Sequence, residues 1–308
     1  MNNMQDIDDL EISNGYSEID IRDLFKVLWL GKYTIIAITT VFAVASIFYA
    51  LSIPNQYKAT ALLAPSKTES SGLPSSFSQL GGLASLAGVN LNSSLSNETQ
   101  MAKAIMVSWN FIEAFIKNNN LAVELVAVES WNQKTNELQI NNEIYDVKNK
   151  KWLVEKPSSW SLFKSFSSRL SVLDTNAGFL SISIEHYSPH VAKEWLDLYI
   201  AEINKYMQEL QVSKVNNNIN YLEQQIESTS IAEMKVVFFT IIEEQIKNEM
   251  LAKASPDYIF TPVSASMLPE EKSQPARAII CIVLTLVGGI LSVLIVLVRQ
   301  YVFRSKNL

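Results

Sequence analysis

The sequence predicts an α+β fold in which two transmembrane helices flank an exported α/β base domain with a long, extended α-helical hairpin. Two uncharged apolar runs, 33–52 and 278–298, lie near the two ends of the 308-residue chain. The block between them, 53–277, is polar and mixes strand patterns with helix patterns. Within it, one helical pattern continues from Pro189 to about residue 228 without a proline.

The two apolar runs have the length of membrane spans. At 1.5 Å per residue each makes a helix about 30 Å long, which matches the hydrocarbon thickness of a bilayer. A buried helix of a soluble protein rarely stays apolar on every face for five turns. We do not expect cleavage of the first run as a signal peptide, because the stretch before it is long and no small-x-small site follows it.

Basic residues next to the spans predict that both termini, 1–32 and the tail 299–308, are cytoplasmic. These residues are Arg22, Lys26 and Lys32 before the first span, and Arg299, Arg304 and Lys306 after the second. Lys58, Lys272 and Arg277 lie on the other side, but long loops cross the membrane largely regardless of charge. The block 53–277 is therefore expected outside the cytoplasm.

Composition narrows the class of protein. The chain is 48% hydrophobic and 18% charged, with a net charge of −6, so the basic footprint of a nucleic-acid-binding protein is absent. Its one cysteine, Cys281, lies inside the second apolar run. The exported block therefore has no thiol, which suits an oxidising compartment and excludes internal disulfides.

The first half of the exported block alternates strand and helix patterns. The predicted elements are a strand at 55–65, a helix at 98–117, strands at 144–155 and 170–185, and a short helix at 158–168. The turn-rich group 174–178 splits the strand pattern at 170–185 into a hairpin. The Ser/Gly/Asn-rich stretch Ser66–Asn97 is interpreted as a linker, with a binding loop as the alternative.

The second half predicts a helical hairpin. Ser188 and Pro189 are typical of an N-cap and a first helical position, and a helix over 189–228 would extend nearly 60 Å. Its coiled-coil-like seam is Leu196, Tyr199, Ile203, Tyr206 and Leu210. The capping-box pattern at 230–233 predicts a second helix over 231–253.

The second helix of the hairpin is apolar around most of its circumference. Its candidate oligomer-contact residues are Val237, Phe238, Phe239, Ile241 and Ile242. A projecting helix cannot bury such a surface alone. Either it packs into the core of its own domain or neighbouring subunits cover it, and the second alternative indicates a homo-oligomer.

The residue types that carry catalysis do not form a recognisable constellation. His186 and His190 lie at a strand-to-helix junction without surrounding cysteines or carboxylates, so we predict no metal site. Glu243 and Glu244 are adjacent on a helix and point apart, which fits a solvated face. We therefore predict no catalytic residues, no cofactor and no enzyme activity.

Four stretches resemble those of a known family: Glu18–Leu30, Gln56–Pro65, Phe179–Trp195 and Leu268–Gly289. Together with the two spans they make the chain similar to the polysaccharide co-polymerases, the Wzz-type chain-length determinant proteins of Gram-negative inner membranes. The resemblance covers nearly the entire chain and implies a periplasmic chain-length determinant domain over 53–277.

The fourth stretch contains a proline- and glycine-rich motif at the second span. The membrane and assembly motif consists of Pro269, Pro275, Arg277, Gly288, Gly289 and Ser292. Arg277 stands where the family usually has lysine, and Ser292 where a third glycine is common. The prolines restrict the chain before the bilayer, and the three small residues make a smooth patch that another span can approach closely.

The resemblance implies a non-enzymatic inner-membrane regulator that sets the modal length of lipopolysaccharide O-antigen. Its expected partners are copies of itself in a ring and the membrane O-antigen polymerase, with lipid-linked polysaccharide as a further candidate. Capsule, exopolysaccharide or a common-antigen polymer are alternative targets. A two-span sensor with a periplasmic ligand domain is the alternative from another class of protein. The short tail Arg299–Leu308 argues against a sensor. A glycan hydrolase would need a pair of carboxylates in a cleft, which the sequence does not show.

Overall fold

The structure is a computed structural model that describes residues 27–66 and 93–304. Most of the predicted segments 1–32 and Ser66–Asn97, and the end of the tail after Arg304, lie outside these residues. The described chain forms two compact units, one containing both apolar helices and the other spanning residues 54–275.

The first unit is a pair of long apolar helices, α1 (Lys32–Ser52) and α8 (Arg277–Arg304). Both are long and apolar enough to cross a membrane, with mean hydropathies of 2.2 and 3.0 over their most apolar windows. Only 11% and 17% of those windows are buried, so neither is the core helix of a soluble domain. They are candidate membrane spans in which most apolar side chains are free to face lipid.

The second unit, the α/β unit, contains the remaining elements. Its helices are α2 (Ser93–Met106), α3 (Trp109–Asn118), α4 (Ala122–Val126), α5 (Ser159–Ser167), α6 (Pro189–Ser228) and α7 (Ala232–Ala254). Its strands are β1 (Gln56–Pro65), β2 (Val128–Asn132), β3 (Glu137–Ile140), β4 (Tyr145–Asp146), β5 (Lys151–Trp152), β6 (Leu170–Asp174), β7 (Leu180–His186), β8 (Phe260–Ser264) and β9 (Lys272–Gln274). The predicted α+β class with a long helix is confirmed.

Strand β1 lies at the centre of the main antiparallel sheet. It pairs with β7 along one edge and with β8 and β9 along the other, and β6 completes the order β6-β7-β1-β8. Ala59, Ala61 and Leu63 alternate along β1 and are fully buried, opposite Ile184, Ile182 and Leu180 of β7. One face of the sheet is therefore apolar and is covered by helices.

The first turns of α6 contribute much of the core on that face. Trp195 and Tyr199 are fully buried, and the Tyr199 ring makes edge contacts with Phe111 and Phe115 of α3 at centroid distances of 5.3 and 4.8 Å. The Tyr199 hydroxyl donates to the carbonyl of Met106, and burial raises the pKa of this phenol well above its usual range. The predicted seam was wrong at Tyr206 and Leu210, which are exposed, because the buried stripe drifts around the helix with the 3.6-residue period.

Local side-chain hydrogen bonds explain two departures from the predicted elements. The single helix predicted over 98–117 is broken at Ser108, whose hydroxyl accepts from the amide of Phe111 and caps α3. The strand predicted over 144–155 is reduced to β4 and β5, since the Asp146 carboxylate accepts from the amides of Lys148 and Asn149 at 2.9 and 3.1 Å and forms a turn.

The predicted start of α6 is confirmed, because Ser188 is the N-cap residue and Pro189 is the first residue of the helix. The Ser188 side chain makes no cap hydrogen bond, and its amide donates to His186 Nδ1 at 3.1 Å. Helix α7 starts after Ile231 and has no side-chain cap, so the capping box does not form. At the turn between α6 and α7, packing of the two helices rather than side-chain capping stabilises the hairpin.

A buried asparagine joins α6 to the end of the hairpin. Asn204 is 2% exposed; its Oδ1 accepts from the amides of Ile259 and Phe260, and its Nδ2 donates to the carbonyl of Phe260, all at 2.9 Å. Three backbone groups that enter β8 thus depend on one side chain.

We predict that Asn204→Ala lowers the free energy of unfolding by about 3 kcal/mol or more, because buried groups left unpaired cost about 1–3 kcal/mol each. Asn217→Ala, at an exposed position of the same helix, is the matched control and should change it by less than about 0.5 kcal/mol. Thermal unfolding of the full chain in detergent, followed by circular dichroism, measures both. Equal effects of the two substitutions would contradict the conclusion that the Asn204 side chain holds the start of β8 on α6.

Candidate functional site

The predicted motif residues of the second span separate onto two sides of α8. A Cβ atom at Gly288 would lie 2.5 Å from Phe42 of α1, so only glycine fits at this point of the helix pair. A Cβ at Gly289 would meet nothing within 4 Å. Within the helix pair, Gly288 therefore faces α1 and Gly289 faces away from it.

Small and hydroxyl side chains complete the contact between the spans. Ser46, Ala50 and Ser292 are buried there. Both hydroxyls donate to carbonyls of their own helix, Ser46 to Ala43 and Ser292 to Gly289, each at 2.7 Å. The serines thereby present a smooth, internally satisfied surface, which lets the two backbones approach closely.

The other motif residues lie before α8. Pro269 is half-buried in the irregular segment between β8 and β9. Pro275 follows a cis peptide bond with Gln274, directly after β9, and Arg277 is the first residue of α8. The two prolines therefore restrict the chain on the way to the helix, as proline does wherever φ must stay near −65°.

Most of helix α7 lies outside the core, which it joins at Ala252 near its end. Val237 and Phe239 are 55% and 58% exposed, and Ile241 is also exposed. Phe238 and Ile242 are half-buried, four residues apart on the face that packs on α6. Among the residues that the structure describes, nothing buries the outward side chains of α7, so they form an exposed apolar surface.

The histidine that the sequence singled out has a structural role. His186 is 1% exposed; its Nδ1 accepts from the amide of Ser188, and its Nε2 lies 3.2 Å from the carbonyl of Glu124, to which it donates in this tautomer. Burial, together with the nearby charge of Arg169, lowers the pKa of His186 to about 4. The ring is therefore neutral at pH 7 and ties β7 to α4.

Polar neighbours of His186 are also engaged. The Glu124 carboxylate accepts from Trp195 Nε1 at 3.3 Å, and burial raises its pKa. Arg169 donates to the carbonyl of Leu125 at 3.1 Å and lies over the ring of Tyr187. Among the described residues, no three His, Cys, Asp or Glu side chains group as possible metal ligands.

An exposed aromatic cluster that the sequence patterns did not indicate lies where α3 and α5 pack. Trp109 is the first residue of α3 and is 42% exposed beside Trp160. A serine caps each of the two helices, Ser108 one residue before Trp109 and Ser158 two residues before Trp160. A tryptophan in the first turn after a capping serine is the signal in the sequence that could have located the cluster.

The structure thus defines a class of protein: an α/β unit whose two ends in the sequence continue into apolar helices that are candidate membrane spans. Residues 17–119 match the family described as Wzz, chain length determinant protein, and this match confirms the Wzz-type resemblance. The family's members regulate polysaccharide chain length and are not known as enzymes, and the two candidate spans fit an inner-membrane protein. No curated protein matches the chain.

Two solved structures are similar in part. A full-length bacterial polysaccharide co-polymerase is 16% identical, with a TM-score of 0.39 over 92% of this chain and 99% of that one. A fragment of WzzB, a polysaccharide co-polymerase from Salmonella Typhimurium, is 11% identical, with a TM-score of 0.28 over 71% of this chain and 100% of that one. At these TM-scores the likeness carries no further argument.

We predict that Gly288→Val destabilises the helix pair by about 1–3 kcal/mol, because the new side chain overlaps Phe42 and overpacked contacts cost about that much. Gly289→Val makes the same chemical change on the adjacent, open position and should leave the pair intact. Heating the full chain in detergent and following loss of the monodisperse species by size-exclusion chromatography compares the two variants. Equal loss in both would show that Gly288 does not mediate the contact.

We predict that stability falls as the pH drops from about 6.5 towards 4. The folded pKa of His186 lies below its unfolded value, so the unfolded chain binds the extra proton in this window, and stability changes by at most about 1.4 kcal/mol per pH unit. Glu124 has the opposite effect on stability above pH 4.5: because its pKa is raised in the folded state, protonation of this carboxylate favours folding as the pH falls.

His186→Gln isolates the histidine contribution. The variant should be less stable at pH 7, since glutamine cannot reproduce both hydrogen bonds, but its stability should fall less steeply between pH 7 and pH 5. Urea unfolding at the two pH values measures the slopes. Parallel slopes in the two proteins would refute the buried, neutral histidine.

Proposed function

We propose that this protein sets the modal length of lipopolysaccharide O-antigen, acting without catalysis and together with the membrane polymerase that extends the lipid-linked glycan. The observation that carries the proposal is the match of residues 17–119 to the chain length determinant family. The match supports regulation of a polysaccharide's length; the choice of O-antigen and of the polymerase as partner is our inference from the family resemblance.

The arrangement of the two units supports a membrane-anchored regulator. Both ends of the α/β unit continue into apolar helices, so the unit would lie on one side of the membrane and the two termini on the other. Basic residues beside the spans favour cytoplasmic termini and a periplasmic α/β unit. In that position the unit would face the compartment in which a surface glycan is extended.

Ring formation is the second part of the proposal. The outward residues of α7, among them Phe239 and Val237, make an apolar surface that the described residues of one chain leave exposed. Exposed apolar surfaces of this kind mark sites of association. Because the outward residues surround much of the helix, copies of the same chain on both sides would cover them, as a closed ring requires.

The spans would supply the contact with the polymerase. The inner face of the helix pair is occupied, with Gly288 against Phe42, whereas the backbone at Gly289 is open. A third transmembrane helix could approach α8 closely at that point. The ring would then hold the polymerase and alter how long a growing chain stays engaged.

Deletion of the gene tests the function. We predict that the modal band of the lipopolysaccharide ladder disappears on a gel and is replaced by a distribution that decays from short chains, and that the intact gene restores the band. An unchanged ladder in the deletion strain would defeat the proposal. A change in the size of capsule or exopolysaccharide, with an unchanged lipopolysaccharide ladder, would identify that polymer as the one whose length is regulated.

Complementation with Phe239→Glu tests the ring in the same strain. The added charge on the apolar surface should lower the oligomer mass in detergent, measured by light scattering, and should fail to restore the modal band. Asn248→Glu adds the same charge to an exposed polar position of α7 and should restore it. Full assembly of the Phe239→Glu variant would exclude α7 as the subunit contact.

A further inference from the structure

The exposed aromatic cluster between α3 and α5 belongs to other helices than α7, and the proposed ring does not use it. We define the tryptophan cluster as Trp109, Trp160 and Phe163. The ring centroids of Trp109 and Trp160 are 5.3 Å apart, and those of Trp160 and Phe163 5.5 Å. Trp109 and Trp160 are 42% and 56% exposed, so two of the largest apolar side chains of the unit face solvent side by side.

Polar groups hold this cluster in place. The Glu113 carboxylate accepts from Trp109 Nε1 at 3.0 Å and from the Lys117 ammonium at 2.7 Å. The ammonium of Lys117 and the hydroxyl of Ser159, at the start of α5, hold the pKa of Glu113 down to about 2. The carboxylate is therefore ionised at every relevant pH, and it links α3 to α5 and orients the Trp109 ring.

A braced aromatic surface that stays half-exposed is suited to recognition, because little side-chain entropy remains to be lost on binding. The cluster is small. An aromatic side chain buries about 150–250 Å² in full, so two half-exposed tryptophans offer roughly 250 Å². A standard protein interface needs about 800 Å² on each partner, and the cluster is therefore too small to support a stable protein dimer by itself.

We propose that the tryptophan cluster binds the sugar rings of the polysaccharide whose length the protein regulates. This inference rests on the proposed function for the identity of the glycan. A pyranose ring has a face of C–H groups that packs on the electron-rich face of an indole, and hydroxyls at its edge. The Glu113 carboxylate accepts hydrogen bonds from such hydroxyls and the Lys117 ammonium donates to them, at the rim of the same surface.

Because the contacts are multivalent, weak stacking at this surface can make the affinity for a polysaccharide depend on its length. Each contact between one cluster and one sugar ring is weak, but a polymer offers the same rings in series, and a ring of subunits offers several clusters. Effective concentration then makes the retention of a chain increase with its number of repeats. The tryptophan cluster would thus give an assembly without catalytic groups a means of responding to chain length.

Binding is tested with the full chain in a detergent that has no sugar headgroup. The probe is lipid-free polysaccharide released by mild acid from the surface glycan of the host cell and fractionated by size. We expect binding in isothermal titration that tightens with polymer length. Trp160→Ala should weaken it roughly tenfold, as removal of a stacked aromatic ring does, while Trp160→Phe should retain most of it.

Trp152→Ala is the matched control, because Trp152 pairs with Tyr145 in the β4–β5 hairpin and is not part of the cluster. Unchanged affinity in Trp160→Ala, or equal losses in Trp160→Ala and Trp152→Ala, would overturn the proposal. A lower oligomer mass in Trp160→Ala would identify the cluster as a subunit contact and overturn it as well. Quenching of Trp160 fluorescence by brominated lipids in nanodiscs would do the same by showing a membrane contact.

The lipopolysaccharide ladder separates this inference from the proposed function. If the deletion strain loses its modal band and Trp160→Ala restores it at the original length, the function stands and the tryptophan cluster is not involved. If the cluster acts as proposed, Trp160→Ala should assemble normally and shift the mode to shorter chains. An unaltered ladder in the deletion strain would instead reject the function, whatever the titration shows.

Discussion

The structure depends on how α6 is divided between buried and unburied turns. Its first turns are fixed on the sheet by Trp195 and Tyr199, and the Asn204 side chain joins them to β8. Beyond Val215 the described part of the chain gives the helix little besides α7 to pack on, and α7 itself buries little besides Ala252. Since helices in water are stabilised mainly by packing of an apolar face, this far half of the hairpin is the part that the proposed subunit contacts would stabilise.

Patterns set by periodicity were readable from the sequence. The alternation of Ala59, Ala61 and Leu63 predicted β1, and the 3.6-residue spacing after Pro189 predicted α6. The spans followed from length and apolar composition alone. These features depend on many residues acting in the same sense, so single exceptions do not change the outcome.

Features that depend on one side chain were not readable. Whether Ser108 interrupts a helix, or whether Asp146 closes a turn, is decided by a local hydrogen bond that competes with regular structure. The orientation of Trp109 depended on that break, because the residue became the start of a helix instead of its middle. The candidate site was predictable in the same uneven way: the small residues of α8 were identified, but only packing separates Gly288 from Gly289.

Three buried or half-buried ionisable groups near the start of α6 hold elements of the fold together. His186 joins β7 to α4, Glu124 accepts from Trp195, and Arg169 donates to the carbonyl of Leu125. A buried group that is held neutral, or that is hydrogen-bonded to a fixed partner, is poorly placed to exchange protons with a substrate. What the described residues leave uncommitted is apolar surface: the outward side of α7, the open backbone at Gly289 and the exposed indoles of Trp109 and Trp160. Surfaces of this kind act by binding other molecules, which is what the proposed regulator would require of them.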